Sequence, residues 1–456
     1  MDRSATDYLV DWKDSPRRKP LVVRGARQVG KSHLARSFGE RHFANFVEMN
    51  FEETLDGAQL FAEGSPAKVI PRLELQTGTR IVPGETLLFL DEVQAAPEVL
   101  ARLRYFREKL PALHVMAAGS LLDFVLEDHE FSMPVGRIEY LHLGPVEYEE
   151  FLAATGRSHL AEFIGQYRLD DEIPTPVHGQ LLSSLLEFLI VGGMPESVQA
   201  FADTGSLLEC DKIKQSILST YVDDFSKYSS RVNTRRIQRV FQKLPHLVGG
   251  KFKHSNVDRE EQARDIGKAL QLLCLARVAY KVRHTACNGV PLAAEADERS
   301  FKPLFLDVGL MNRACGLTLL DFENAGDVML VNAGAVCEQF VGQHLLYSGQ
   351  LFEEPALHYW SREKRQSAAE IDYVISVGPQ IIPVEVKAGK SGRLRSLHMF
   401  LQEKQCGFGV RLNTDLPSLL ETAASLPTGE TVPYQLLSLP LYLVGQVRRL
   451  CREHAA

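Results

Sequence analysis

Two sets of residues in this 456-residue chain are spaced for phosphate chemistry. In the first, Gly25, Ala26, Arg27, Gln28, Val29, Gly30, Lys31 and Ser32 fit the pattern G-x-x-x-x-G-K-[ST], with His33 next. The glycines let the backbone curl until its N–H groups and a following helix N-terminus surround a phosphate. Lys31 adds a mobile positive charge for the β- and γ-phosphates, and Ser32 a hydroxyl for Mg2+. "LLFLDE" ends in Asp91, able to hold hydrated Mg2+, and Glu92, able to polarise an attacking water. A small-molecule phosphotransferase has no use for a water-activating acid, so the adjacent Asp-Glu favours hydrolysis. Ser120 in "AAGS" is placed to sense the terminal phosphate, and Arg137 to reach a phosphate in cis or across a subunit contact. ATP with Mg2+ is the expected ligand pair.

The second set lies in "EIDYVISVGPQIIPVEVKAGK". Two apolar runs flank Gly378-Pro379, and a hairpin turning there sets Asp372 opposite Glu385. Cross-strand partners lie about 5 Å apart at Cβ, close enough for two carboxylates to share a cation. Lys387 follows Glu385 by two positions and therefore projects from the same face. Like charges placed opposite each other are destabilising unless a cation lies between them. The pattern predicts Mg2+ held by Asp372 and Glu385, with a lysine beside the water.

The elements that must position these residues differ along the chain. "LVVR", "NFVEMNF", "TLLFLDEVQ" and "LHVMAAGSLL" read as strands separated by helical stretches, which predicts a parallel sheet covered on both faces. Residues 151–235 read as helices, 236–322 as helices followed by strands, and 323–456 as an α/β segment that holds the hairpin. The fold class expected is α/β multidomain, with residues 1–150 as the nucleotide-binding core. An apolar content of 45% and a charged content of 24% are those of a globular protein with dry cores. The seven cysteines are scattered without a metal-like spacing, which predicts reduced thiols and no zinc site. No signal-peptide pattern opens the sequence and no apolar run reaches spanning length, so a cytoplasmic location is expected.

The quoted motifs "RGARQVGKSHLAR", "LFLDEVQ", "AAGSLL", "GRIEYLHLGPVEYEEF", "GGMPE", "FKPLFLDVGL" and "EIDYVI…PVEVKAG" run from about residue 20 to about 400. In these the chain resembles the AAA-type P-loop ATPases of bacteria and archaea whose C-terminal half is a domain of unknown function. The resemblance implies an ATPase core, a helical lid, a winged-helix-like domain and a restriction-endonuclease-like end. The acid, acid-x-Lys hairpin is similar to the PD-(D/E)xK nuclease pattern. That family adds an acid on a preceding helix, for which Glu338 in "GAVCEQFVGQHLL" has the matching position. The metal ligands implied are then Glu338, Asp372 and Glu385, with Lys387 orienting or deprotonating water. The first hairpin acid lacks the family's preceding proline, the sequence being Glu370-Ile371-Asp372.

The net charge of −7 conceals a basic segment, 231–290, with thirteen Lys/Arg against four Asp/Glu. Such a segment is a candidate DNA surface, acting through backbone phosphates and without sequence choice. Lys251, Lys253, Arg259, Arg264 and Lys268 are its named candidates, while Ile266, Leu270, Leu273 and Leu275 predict a packing face on the same helix. The expected function is an ATP-hydrolysing protein acting on DNA, its ATP state controlling a metal-dependent nuclease-like domain. The alternative is an ATP-gated switch whose nuclease-like fold only binds DNA or a protein partner. A homo-oligomer is compatible with both.

Overall fold

A computed structural model describes residues 1–54, 56–120, 136–225, 232–317, 333–362, 368–389, 394–425 and 431–455. The chain divides into two compact units. The first comprises Met1–Gly144 together with two short later segments, Leu275–Arg277 and Gly349–Glu354.

Five strands build the sheet of the first unit: β1 Leu21–Arg24, β2 Asn45–Asn50, β3 Thr86–Asp91, β4 His114–Ala118 and β5 Glu139–His142. Their order is β2-β3-β4-β1-β5, and every neighbouring pair is parallel. A strand covered on both faces cannot alternate polar with apolar residues, and β3 and β4 are buried at every position. Val22, Leu88, Leu90 and Val115 meet Val99, Leu103 and Phe106 of the helix Pro97–Lys109 in one core. Each such side chain contributes about 1.5–3 kcal/mol through loss of apolar surface to water. Parallel strands end on one edge, so Arg24, Asp91 and Ala118 all lead to the same crevice, the usual ligand position of such sheets. Since β4 lies between β1 and β3, the residues that follow it fall between the glycine-rich loop and Asp91.

The second unit comprises Pro145–Cys274, Val278–Ser348 and Pro355–Ala456. Residues predicted helical are so in Ser158–Gln166, Thr175–Val191, Pro195–Thr204 and Leu207–Asp224. The sheet of this unit has eight strands: β6 Ala279–Thr285, β7 Ala296–Phe305, β8 His358–Arg362, β9 Ala369–Val377, β10 Gln380–Val386, β11 Phe408–Asn413, β12 Ser418–Ser425 and β13 Thr431–Pro440. It is mixed, in the order β12-β13-β11-β10-β9-β8-β6-β7. The predicted boundary at 322/323 thus falls inside one sheet: β6 pairs with β8 in parallel, Arg283 with His358. A pairing between residues so far apart in sequence leaves no local signal.

Two of the quoted motifs prove to be one backbone junction. In "GGMPE" and "FLDVGL", Gly193 N donates to Asp307 Oδ2 at 2.6 Å, and Leu310 N to Asp307 Oδ1 at 2.9 Å. Asp307 therefore caps the helix Val308–Ala314 and fixes Gly193 at the same time. A Cβ on Gly309 would stand 2.6 Å from Gly192 Cα, so both glycines are required by backbone contact. These residues hold the two segments together.

A candidate nucleotide site and a lysine-filled carboxylate cluster

The glycine-rich loop leaves β1 and enters the helix Lys31–His42, with Gly30 left-handed at φ 91°. Gly25 has a separate reason to be glycine: a Cβ there would lie 2.3 Å from Leu143 O. Arg3 steadies the loop from outside, donating to Val29 O at 3.1 Å and to Gly144 O at 2.9 Å. Sequence gave no signal for it, because a lone arginine near the start of a chain has no pattern. Lys31 is buried, and its ammonium donates to Gly25 O at 3.0 Å and Ala26 O at 2.7 Å. Burial first, and then Arg27 and Arg277, lower its pKa to about 8 against the pull of Glu92 and Asp91.

The Ser32 hydroxyl hydrogen-bonds the Asp91 carboxylate, whose pKa is raised by burial and lowered in part by that bond. A hydroxyl and a carboxylate converging beside a phosphate loop are the donor set for Mg2+, so these two residues fit the ion. Glu92 has left-handed backbone, φ 52° and ψ 43°, a conformation kept at functional positions at some cost in strain. Its Oε2 accepts from Gln94 Nε2 at 2.6 Å. Gln94 was missed as a positioning residue, although "LDEVQ" contains it; a Cβ on Gly119 would stand 2.4 Å from its Oε1. Ser120 is buried just beyond β4, at the expected place. His33 is exposed on the first turn of the helix, and nothing in the fold ties it to the phosphate position.

Arg137 is a correction. Glu139 pairs with Leu21 and His142 with Arg24, so Arg137 precedes β5 at the amino end of the sheet, opposite the loop. It pairs with Glu108 at 3.0 Å on the surface, with its side chain about half exposed. Contact in cis with a phosphate bound at Lys31 is excluded by this polarity.

In the second unit the hairpin has the predicted frame, from Gln380 with Val377 to Val384 with Tyr373, which places Glu385 opposite Asp372 on the next rung. Gly378 turns it with φ 57°, as a two-residue turn beginning with glycine requires. Lys387 Nζ donates to Glu385 Oε1 at 2.6 Å, and Val386 N to Asp372 Oδ2 at 2.8 Å. Glu338 approaches from the helix Ala333–Tyr347, which Tyr373 fastens by donating its hydroxyl to Glu338 O at 2.7 Å.

The centre of these acids is filled by a side chain that sequence reading missed. Lys302 of β7, 2% exposed, donates to Glu338 Oε2 at 3.1 Å and Glu370 Oε1 at 3.0 Å, and stands 3.7 Å from Asp372 Oδ1. Tyr359 and Tyr373 turn their ring faces to the ammonium at 5.7 and 6.0 Å. Burial disfavours its charge, yet Glu338, Asp372 and Glu370 together hold its pKa well above the usual range. Burial and then Asp372 raise the pKa of both Glu338 and Glu385 to about 7. Among the described residues, no three His, Cys, Asp or Glu side chains are arranged to hold a metal ion. As placed, Glu338, Asp372 and Glu385 do not fit the expected Mg2+ site. The ammonium of Lys302, reaching over from β7 at the edge of the sheet, neutralises the carboxylates instead. The available signal was "FKPLF", a lysine among apolar residues in a strand with no polar alternation.

The basic segment is partly self-neutralised. Arg236 pairs with Glu261 and Asp265, Arg239 with Asp258, and Arg283 with Glu298. Lys253, Arg259, Arg264 and Lys268 are exposed, and Ile266, Leu270 and Leu273 are buried as expected. The cysteines that are described are all free thiols. Among the described residues, no helix is long and apolar enough to cross a membrane.

Comparison with known families agrees with the loop geometry. Residues 17–152 match a family described as an AAA domain. Residues 182–321 and 333–427 match two domains of unknown function, DUF8612 and DUF4143. No curated protein matches the chain. Among solved structures, a Walker-type ATPase of Pyrococcus abyssi is 14% identical, with a TM-score of 0.43, over 69% of this chain and 95% of that one. The ORC2 protein of Aeropyrum pernix is 11% identical, TM-score 0.32, over 68% and 90% of the two chains. RuvB of Thermotoga maritima is 13% identical, TM-score 0.30, over 62% and 90%.

Proposed function

We propose, from the premise that residues 17–152 form an AAA-type P-loop ATPase domain, that the chain hydrolyses ATP to switch a DNA-binding C-terminal half. The observation that carries the ATPase reading is the convergence of Lys31, the Ser32–Asp91 pair and Glu92 at one edge of a parallel sheet. Ser32 and Asp91 would hold Mg2+, which neutralises charge on the β- and γ-phosphates when bound. Lys31 would exchange the carbonyls of Gly25 and Ala26 for phosphate oxygens. Glu92 would release Gln94 and accept a proton from the attacking water, while Ser120 orients the terminal phosphate. A Glu92→Gln variant should keep ATP affinity within about twofold and lose at least about a hundredfold in turnover, the usual range for one such group. Equal losses of binding and turnover would make Glu92 a structural residue.

For the DNA partner, support comes from the order of elements in Thr234–Lys243, His254–Val257, Ala263–Leu275, β6 and β7, three helices followed by a hairpin. That order is winged-helix-like, and it presents exposed Lys253, Arg259, Arg264 and Lys268. If these four cations meet phosphates, duplex affinity should fall with salt at a log–log slope of about −3 to −4. Lys268→Ala should reduce that slope by about one, equally for unrelated sequences. A slope near zero would move the DNA surface elsewhere.

A second reading concerns the carboxylate cluster. Its restriction-endonuclease-like hairpin suits a metal-dependent nuclease, but Lys302 favours the form that binds without cutting.

A further inference from the structure

The second unit contains a cavity of about 730 Å3, within the usual size of small-ligand pockets, away from the carboxylate cluster. Glu385 stands near the carboxyl end of β10, whereas Gln380, which begins that strand, borders the cavity. The five steps from Gln380 to Glu385, at about 3.3 Å each, put about 16 Å between the two places. Since β11 is parallel to both β10 and β13, the cavity sits at the shared amino end of these three strands.

Three features of its wall point to one kind of ligand. Phe408 opens β11, and His454 of the helix Val447–Ala455 stacks on it, with ring centroids 4.8 Å apart and planes inclined by 23°. His454 Nε2 donates to Gln435 Oε1 at 2.7 Å, and Gln435 Nε2 to Glu421 Oε1 at 3.2 Å, which fixes the imidazole. Rings held in this way make a platform to which a further flat ring can add, as bases do on aromatic side chains.

The second feature is a covered cation. Lys404 ends the helix Arg395–Lys404 with a side chain 11% exposed, and its ammonium donates to Asn288 Oδ1 at 2.9 Å. The Glu403 carboxylate stands 3.9 Å away and is itself bonded to Arg362 at 2.9 Å. Glu295 meets only the far side of Asn288, accepting from its N at 2.9 Å and its Nδ2 at 3.2 Å. A covered ammonium whose hydrogen-bond partner is a neutral amide gains from an anion brought to it. The third feature is the Gln380 amide, exposed beside the cavity and without a hydrogen bond among the described residues. It offers both donors and an acceptor to the edge of a ring.

We infer that this cavity binds a mononucleotide unit, its base on the Phe408–His454 rings and against Gln380, its phosphate on Lys404. An aromatic hydrocarbon would leave Lys404 and Gln380 without partners, and inorganic phosphate would leave the rings uncovered. A free nucleoside monophosphate and a nucleotide of single-stranded DNA share this chemistry. Neither the glycine-rich loop nor the carboxylate cluster contributes a residue to the cavity, so the site is independent of both readings given above.

Calorimetric titration of the full chain with deoxyadenosine monophosphate and with a short single-stranded oligodeoxynucleotide tests this, repeated in Lys31→Ala to remove any signal from the loop. The monophosphate should bind saturably. Lys404→Gln, which keeps a donor for Asn288, should weaken it about tenfold or more, and His454→Ala about fivefold or more. Gln380→Ala, an exposed change that cannot unfold the unit, should weaken it several-fold. Deoxyribose phosphate, which lacks the base, should bind more weakly and be indifferent to His454→Ala. A strand that binds more tightly than the monophosphate, with the same dependence on Lys404 and His454, identifies DNA as the source. A strand that binds equally or less tightly identifies the free nucleotide. No saturable binding of either probe, or affinities unchanged in all three variants, would overturn the proposal.

Discussion

Lys31→Ala should lose ATP hydrolysis by at least about a hundredfold, the magnitude expected when one preorganised charge is removed from a reacting phosphate. Among the described residues the ammonium bonds to Gly25 O and Ala26 O, so its removal breaks two loop contacts and opens no apolar core. Circular dichroism and melting temperature should stay near the wild-type values. The pKa of about 8 adds a pH dependence. Below that value Lys31 carries its charge, and as pH rises through it the nucleotide-free loop becomes neutral. Initial ATP affinity should therefore decline above about pH 8 in the wild type and be flat in the variant. A variant that hydrolyses ATP normally would remove the loop from the mechanism.

Lys302→Met should be the most damaging substitution in the second unit, at about 3–5 kcal/mol, because it strips the cation from buried carboxylates and leaves them facing one another. The effect has a defined sign with pH. A carboxyl whose folded pKa is raised favours the folded state when protonated; that contribution is complete below the unfolded value and is lost as pH rises through the folded one. Lys302 helps to hold Glu338 and Glu385 down at about 7, so both titrate higher once it is lost, and the damage should be largest above neutral pH and shrink toward pH 5. Adding Glu338→Gln should recover part of the loss, since it removes one of the opposed charges. The same variant tests the metal question. Mn2+ should raise its melting temperature and leave the wild type unchanged, and neither protein should nick DNA above the level of an Asp372→Ala control. Wild-type nicking that requires Mn2+ and disappears in Asp372→Ala would restore the nuclease reading and make Lys302 a companion of the metal.

The parts legible from sequence were those specified by neighbours. Gly378-Pro379 with alternating residues on each side determined the hairpin frame, because turn length and side-chain period leave one register. The apolar run before Asp91 likewise determined a buried strand with its acids at the carboxyl end. What escaped depended on residues far apart. Lys302 reads locally as an ordinary strand lysine, and only the helix of Glu338 and the strand of Asp372 turn it into a buried counter-ion. Arg277 reads locally as one more charge in a basic segment until Glu354 stands beside it, and only strand polarity shows that Arg137 lies at the far end of the sheet from a phosphate in its own chain. Glu370 was visible as the i − 2 neighbour of Asp372 on one face, yet it was read only as a missing proline.

The composition of the first unit has a consequence for how the protein is made. Its glycine-rich loop, sheet and core helices are complete at Gly144, but Glu354 emerges 210 residues later, roughly 10–40 s at about 5–20 residues per second. During that interval the nascent chain holds a finished phosphate loop with neither Arg277 nor Glu354 beside it. The first unit is completed late, when the segment ending at Glu354 reaches His142, so a chain still shorter than that carries the loop and the sheet without the contacts that Leu351 and Glu354 make at the end of β5.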